Sequence, residues 1–565
     1  MSPSAAEQAR QRSGAHVLLE VLKAEGVEVL FGIPGGSVIP IFDALYDDKD
    51  LRFILMRHEQ GAGHAADGFA RATGKVGVCI ATSGPGATNL TTALATANFD
   101  SVPVVALTGQ VKTHLIGNDA FQEADITGIT RPITKHNYLV RSVDELGATL
   151  RSAFHIARTG RPGPVLVDIP VDVAMAETSA PVPDKVELPG YRPVVKGNRR
   201  QIKRAAEAIN AAERPVLYVG GGVIIAGASE ALRALAAKAG IPVTTTLMAL
   251  GAFPEDHPLA LKMLGMHGTA YANYAVQESD LLIAVGARFD DRITGDVNHF
   301  APHAKVIHID IDPASISKNI RVDIPVVGDA KDIVEGLVDL CEHRERGEWL
   351  DQVAEWKKKH PLAYGKDGLK PQFVVEQICE ASEGKAIVCT EVGQNQMWAA
   401  QWFTHRHPRH FISSGGLGTM GYGFPAAIGA KAGRPDAIVV DVAGDGSFQM
   451  NIQELAPAVH EKLPVKVCIM NNGYLGMVRQ WQELFYQKRY SGTVLAGNPD
   501  FVKVAEAYGA CGVRVTRPEE VRPALEKAFA DPHVWVLDFA IEPEENVFPM
   551  VPAGEAIDRM IGGLA

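Results

Sequence analysis

The stretch from Ala437 to Trp481, AIVVDVAGDGSFQMNIQELAPAVHEKLPVKVCIMNNGYLGMVRQW, constrains the fold more than any other part of the chain. Its apolar, β-branched run Ala437–Ala443 reads as a strand buried on both faces, and such strands belong to parallel sheets. The run stops at Gly444-Asp445-Gly446-Ser447. A helical spacing follows (Ile452, Leu455, Ala456, Val459), and a second buried run, Val465–Met470, ends on Asn471-Asn472-Gly473. One βαβ unit of this kind puts Asp445 and Asn472 at the carboxyl edge of one sheet, where α/β folds bind ligands. A carboxylate, an amide oxygen and a nearby carbonyl make a hard-cation site that keeps positions for phosphate oxygens and water. Glycines beside Asp445 let backbone N–H groups approach those phosphates at a helix start. Asp-Gly and Asn-Gly are ordinary turn pairs taken singly. Their conjunction at successive strand ends carries the signal.

The rest of the chain repeats this grammar. At 565 residues it exceeds one core and predicts about three or four domains of roughly 150 residues. From 13 to 180, VEVLFGIPGG, LRFILMRHEQ and VGVCIATSGPG each run from strand through a turn into a helix, a doubly wound pattern. Residues 180–199 are rich in Pro and charge and read as a linker. A second α/β domain spans 197–345, with strands PVLYVGGG, DLLIAVG and KVIHIDID. Residues 343–368 read as a charged helix and a second linker. The third domain, 371–545, shares the layout of the first, and 546–565 reads as an extended arm with a short helix. Gly416-x-Gly418-x-x-Gly421 matches a dinucleotide fingerprint as a pattern, but the strand before it is too short and a Gly-Phe-Pro turn follows.

Charge and composition exclude several classes. A net charge of −11 argues against a nucleic-acid or anionic-membrane surface. No apolar run reaches the roughly 18 residues of a membrane span. The first residues form a short polar tail without a signal-peptide core, which predicts a cytosolic protein. The six cysteines lack metal spacing, and several sit in apolar strands, so buried reduced thiols are expected.

Glu59 is the other residue of note. A carboxylate at a helix N-terminus is favoured by the dipole and needs no function. Here it stands at a strand-to-helix junction between Arg57, His58 and Gly61, the place where α/β domains put functional groups.

Gly-Asp-Gly-Ser followed by Asn-Asn at the next strand end resembles the thiamine-diphosphate motif. RHEQ followed by small residues resembles the turn that carries the cofactor-activating glutamate of thiamine enzymes. RHEQGAGHAADGFARATGKVGVCIATSGPGATNL, IGNDAFQEADITGITRPITKHNYLV, GMHGTAYANYAV, GARFDDRITG, NNGYLGMVRQW and PEENVFPMVP resemble the large, catalytic subunits of the acetolactate (acetohydroxyacid) synthase family over nearly the whole chain. The resemblance implies three doubly wound parallel-sheet domains: pyrimidine-binding, central FAD-binding and diphosphate-binding. It implies an enzyme that decarboxylates pyruvate on thiamine diphosphate. The two-carbon unit then joins a second pyruvate or 2-ketobutyrate, feeding isoleucine, valine and leucine synthesis.

Site residues transfer by position. Glu59 and Gln122 are the catalytic positions, and Phe121, Met477, Arg292 and Trp481 line the substrate pocket, Arg292 for the acceptor's carboxylate and Trp481 for its alkyl end. Gly36, Ser37, Glu59, Gln394, Asn395, Gly418, Met420, Gly446 and Ser447 hold thiamine diphosphate. Asp445, Asn472 and the carbonyl of Tyr474 hold Mg²⁺. Gly221, Gly222, Thr246, Leu247, Met248, His267, Gly286, Arg288, Asp290, Arg292, Asp310, Ile311 and Asp329 contact FAD, which takes no net redox part in this family. Implied partners are a second copy of the chain, as a homodimer or dimer of dimers with active sites at the interface, and a small regulatory subunit. Ser37, Asn395 and Lys112 depart from the usual family residues, and Lys196 stands where a linker lysine aids substrate entry. A decarboxylase or oxidase of the same fold would not need Arg292 or Trp481. A flavin- or NAD-dependent oxidoreductase would rest on the glycine loops alone.

Overall fold

The computed structural model describes residues 11–562, so the polar tail before them and the last three residues of the arm lie outside the described residues. The sheets bear out the doubly wound expectation. There are three six-stranded sheets, and every neighbouring pair within them is parallel. The first holds β1 (Val29–Gly32), β2 (Arg52–Leu55), β3 (Gly77–Ala81), β4 (Val104–Gln110), β5 (His136–Leu139) and β6 (Val165–Pro170), in the order β2-β1-β3-β4-β6-β5. The second holds β7 (Pro215–Val219), β8 (Val243–Thr245), β9 (Ala260–Met263), β10 (Leu281–Val285), β11 (Lys305–Asp310) and β12 (Ile324–Val327), in the order β9-β8-β7-β10-β11-β12. The third holds β13 (Ile387–Thr390), β14 (Phe411–Ile412), β15 (Val439–Gly444), β16 (Lys466–Asn471), β17 (Cys511–Val515) and β18 (Trp535–Ala540), in the order β14-β13-β15-β16-β18-β17.

First and third sheets therefore share one winding, whereas the second has the order of dinucleotide-binding folds. Each sheet reverses its winding near its centre, between β1 and β3, β7 and β10, or β13 and β15, and the first and third reverse again at the far edge, where β6 lies inside β5 and β18 inside β17. At the central reversal neighbouring strand ends diverge and open a crevice at the carboxyl edge. Central strands such as β6, β10 and β15 are buried along their length, which is why they read as unbroken apolar runs.

Two local expectations need correction. The helix after Asp445 is not continuous: Asp445–Phe448 passes into a 3₁₀ stretch, Gln449–Glu454, in which Asn451 has φ −134°, before Leu455–His460 resumes. Asn451 turns its side chain to donate to the carbonyl of Gly421, a tertiary bond the apolar spacing cannot announce. The arm forms no helix among its described residues; Met550 and Ile561 pair in an antiparallel bridge instead.

The chain packs as two compact units. One runs to Arg192 and takes in Gly416–Asp436 and Asn451–Pro464; the other holds Pro193–Gly415, Ala437–Met450 and the chain from Val465. In the first unit the Glu59–Thr73 helix lies against the Gly423–Gly433 helix at backbone contact. A Cβ at Gly429 would collide with the carbonyl oxygen of Ala65, and one at Gly68 with that of Ala426. Small residues permit this approach, and nothing flexible stands in the way to yield.

Gly429→Ala is therefore expected to lower the unfolding midpoint, with a cost of at least the roughly 1–3 kcal/mol typical of overpacking. Gly190→Ala, at a position with nothing within 4 Å of the added carbon, is expected to leave it unchanged. Thermal unfolding of the two variants side by side checks this.

Candidate active site

The third sheet's crevice collects the residues expected to hold diphosphate and metal. Asp445 follows β15 and Asn472 follows β16, in parallel register, so both leave the sheet at one edge. Asp445 is buried. Its Oδ2 accepts from Asn498 Nδ2 at 2.6 Å and from the backbone N–H of Gly473 at 3.1 Å. Its Oδ1 is buried with no partner. Burial pushes this carboxyl up to about 6, outweighing the Asn498 amide. A buried anionic oxygen without a donor is costly by itself and suits a bound cation. Gln394, across the reversal point, accepts from Asn472 Nδ2 at 3.2 Å and donates to Gln480 at 2.9 Å. The N–H of Tyr474 donates to Asn472 Oδ1 at 3.0 Å, which fixes the turn whose carbonyl was expected to reach the metal. Ser447 is buried beside Gly444, and Gly446 faces Leu475 and Leu495. The donors of Asn395 go to the carbonyls of Glu391 and Val442, so its side chain braces the crevice floor.

In the second sheet the expected flavin residues stand at the carboxyl ends of all six strands. Gly221 and Gly222 follow β7, Thr246, Leu247 and Met248 follow β8, and His267 follows β9. Gly286, Arg288 and Asp290 follow β10, Asp310 and Ile311 close β11, and Asp329 follows β12. The loops after β7 and β10 touch through backbone: Gly222 N–H donates to Gly286 O at 3.2 Å, and a Cβ at Gly220 would strike that oxygen. The Nε2 of His267 is buried without a partner, and burial, then Arg292, pushes this imidazole down to about 4. Asp310 accepts from the N–H of Asp312 at 2.8 Å, and Asp329 caps the Ala330–Leu340 helix. Glycine contacts that pass no side chain and an orphaned neutral imidazole together fit a flat, polar-edged cofactor.

Two positions expected to line the substrate pocket, Arg292 and Trp481, meet although they stand 189 positions apart (481 − 292). Arg292, on the Asp291–Thr294 turn of helix, places its guanidinium carbon 5.8 Å from the ring centre of Trp481. The Arg292 side chain keeps 57% of its exposure, so its fork remains open to a ligand. Trp481 stands edge-on to Phe485 at 6.1 Å. Met477 packs half-buried against the core of the third sheet.

The remaining site residues lie in the first unit. Glu59 is the first residue of its helix, is buried, and accepts from Asn89 Nδ2 at 2.9 Å. Gly36 and Ser37 follow β1, and the Ser37 hydroxyl bridges the crevice to Thr82 at 3.0 Å and to Ser83 N–H at 2.9 Å, just past β3. Gln122 has φ +59°, and Phe121 is 87% exposed. Their loop is tied down through Gln110, which donates to Ala124 O at 2.9 Å and to buried Asp168 at 3.0 Å. Gly418 and Met420 lie on a segment held at both ends. Gly416 N–H donates to Asp100 at 2.8 Å, Thr419 meets Thr96 at 2.7 Å, and Tyr422 donates to Asp67. Arg71 joins Asp67 at 2.6 Å and Asp100 at 2.9 Å, completing a buried network.

Three thiamine pyrophosphate enzyme profiles match the chain: the N-terminal TPP binding domain at residues 12–129, the central domain at 202–337 and the C-terminal TPP binding domain at 391–539. The acetolactate synthase large subunit of Corynebacterium glutamicum is 54% identical over 557 residues, covering 96% of this chain and 89% of the relative. The probable acetolactate synthase large subunit of Methanocaldococcus jannaschii is 53% identical over 562 residues, 97% of this chain and 95% of the relative. That of Haemophilus influenzae is 47% identical over 563 residues, 98% of both. The chain belongs to the acetolactate synthase large-subunit family. It is thus a thiamine-pyrophosphate-dependent carboligase of branched-chain amino-acid synthesis.

Several residues that contact the expected site positions escaped the sequence. Asn498 reaches Asp445 from a turn with no motif, and the Asp67–Arg71–Asp100–Tyr422 network joins segments far apart in sequence. Glu454 is the most consequential. Its carboxylate is buried and takes the N–H of Arg57 on both oxygens, at 3.2 and 3.1 Å, at the turn that carries Glu59. Burial pushes it up to about 7 against those hydrogen bonds, with the charge of Glu59 adding to the rise. The sequence signal was present in Gln453-Glu454-Leu455, but an apolar spacing draws attention to the leucine. Lys112 is exposed before a 3₁₀ turn, and Lys196 pairs with Asp332. Among the described residues no helix is long and apolar enough to cross a membrane.

Glu454 also predicts a pH dependence. Its folded pKa of about 7 lies above the unfolded glutamate value of about 4.3. The fold favours the neutral acid, so its contribution is full below about pH 4 and is lost as pH rises through about 7. Glu454→Gln, which keeps an acceptor without a charge, is expected to flatten part of the fall in unfolding midpoint between those limits. Melting curves across pH 4–8 for both proteins check it.

Proposed function

We propose that this enzyme joins pyruvate to a second pyruvate or to 2-ketobutyrate, with Mg²⁺-anchored thiamine diphosphate at the third sheet and FAD at the second. Asp445, Asn472 and the Tyr474 carbonyl would hold the metal, and Gln394, Gly446 and Ser447 the diphosphate. The buried, partnerless Asp445 Oδ1 supports this. The glycine contact after β7 and β10 and the orphaned His267 nitrogen support the flavin site. Thiamine diphosphate, when bound, supplies the nucleophilic carbon that accepts pyruvate and carries the two-carbon unit once CO₂ has left.

The chain's own residues do the rest. Glu59, its carboxylate oriented by the Asn89 amide, would hold and return a proton at the pyrimidine ring of the cofactor. The guanidinium of Arg292 forks the carboxylate of the acceptor, and Trp481 beneath it presents an apolar face to the acceptor's alkyl end. This stacked pair carries the reading, because a plain decarboxylase has no second keto acid to orient. Phe121, left 87% exposed beside Gln122, is a large apolar surface that a second copy would cover. On this reading the working unit is at least a homodimer, with Glu59 serving the site built around the partner's Asp445. The enzyme works in the cytosol with a separate regulatory subunit.

Glu59→Gln is expected to fold but lose activity by about 10²–10⁴-fold, because an amide cannot share the proton. Near-normal turnover would overturn the role of Glu59. Trp481→Leu is expected to erode a preference for 2-ketobutyrate over pyruvate, since one methylene in an apolar pocket is worth about 1–3 kcal/mol. Arg292→Ala is expected to release more acetaldehyde per acetolactate formed. The ratio of the two acetohydroxy acids made from mixed keto acids, with acetaldehyde measured alongside, tests both; unchanged ratios would remove these residues from acceptor recognition.

A further inference from the structure

Outside the site described, one cluster brings together three different metal-ligating side chains. Cys511 opens the edge strand β17 and sits opposite Trp535 of β18 in parallel register. Asp531 ends the Pro518–Ala530 helix, and His533 lies in the turn that leads into β18. One ligand atom from each of Cys511, Asp531 and His533 lies within 4.8 Å of the others, the one such group of three among the described residues.

The cluster is held rigidly from behind. Asp531 Oδ1 accepts from the N–H of His533 at 2.8 Å and stands 2.6 Å from its Nδ1. Lys466, itself buried, donates to the carbonyls of Asp531 at 2.7 Å and His533 at 2.5 Å, which pins the turn. The N–H of Cys511 donates to Val534 O, which ties the strand to the same turn. Five of the six cysteines are buried as expected; Cys511 alone is partly exposed.

We propose that Cys511, Asp531 and His533 form a transition-metal site on the edge of the third sheet, with Zn²⁺ as its preferred ion and water in the fourth position. A thiolate, an imidazole and a carboxylate suit a borderline-soft ion. The same set is poor for Mg²⁺, which takes oxygen ligands in octahedral array. Binding exchanges protons for metal: the Cys511 S–H bond breaks, the proton leaves to solvent and the sulfur bonds the ion. At His533 the ring proton that faces Asp531 moves through solvent to the other ring nitrogen, which frees a lone pair for the ion, and the Asp531 carboxylate turns to the metal. The thiolate and carboxylate charges neutralise the dication, against Lys466 and Lys527 nearby, whose positive charge limits the affinity. A bound ion would clasp the edge strand to the helix that precedes β18.

The test uses the full-length enzyme saturated with Mg²⁺ and thiamine diphosphate, titrated with ZnCl₂ and, for its spectrum, CoCl₂. Expected are one Zn²⁺ per chain taken from a chromophoric chelator, a thiolate-to-cobalt charge-transfer band, and protection of Cys511 from iodoacetamide. Cobalt at an oxygen-only site gives no such band, which separates this site from the catalytic metal. Cys511→Ser is expected to abolish the band, and His533→Ala to weaken zinc at least tenfold. The His533 side chain is 67% exposed, so this variant stays informative even if Cys511→Ser folds poorly. Zinc should also raise the melting midpoint of the wild type and not of Cys511→Ser. No band and no protection in the wild type would overturn the proposal, as would zinc uptake unchanged in His533→Ala.

Discussion

The contact on which much of the first unit depends is the one between two helix backbones, Glu59–Thr73 and Gly423–Gly433, at Gly68 and Gly429. Close approach of two helices with small residues trades side-chain burial for short-range dispersion and a fixed register. Here the register matters because each helix begins at a functional feature. The first opens on Glu59. The second follows the segment that carries Gly418 and Met420, and Tyr422 at its start donates to Asp67 on the first helix. Packing, rather than local sequence, thus sets where Glu59 and Met420 stand.

Burial acts as a second organising force, and it works on charge. Asp445, Asp168 and Glu454 are all pushed up, to about 6, 7 and 7, by loss of water, although each accepts hydrogen bonds that favour its anion. The direction shows that desolvation wins in each case. At Asp445 a metal ion can settle that cost, whereas at Asp168 and Glu454 protonation does. His267 follows the same rule in reverse: burial, with Arg292 adding to it, holds its imidazole down at about 4.

The three sheets illustrate how one pattern builds three crevices. Each reverses its winding near its centre, and residues expected at the site flank that reversal: Ser37, Gly222 and Gly286, Gln394 and Asp445. The strands supply rigidity, the reversal supplies a crevice, and the loops supply the chemistry.

Much of this was legible in the sequence. Buried parallel strands betray themselves as unbroken apolar runs, and glycine-flanked Asp445, Asn472 and Glu59 stand at strand ends, where turn chemistry is local. The sequence alone therefore determined the fold class, the edge on which Asp445 and Asn472 emerge and the family to which the chain belongs. Tertiary structure decided what depends on distant partners. The helix after Asp445 breaks because Asn451 finds Gly421; Asn395 braces backbone carbonyls; Asn498 and Glu454 take their places beside Asp445 and Arg57. Arg292 and Trp481 meet across two domains. Periodicity and turn preference report the forces a residue feels from its neighbours in the chain, and these contacts are made by residues that become neighbours only after folding.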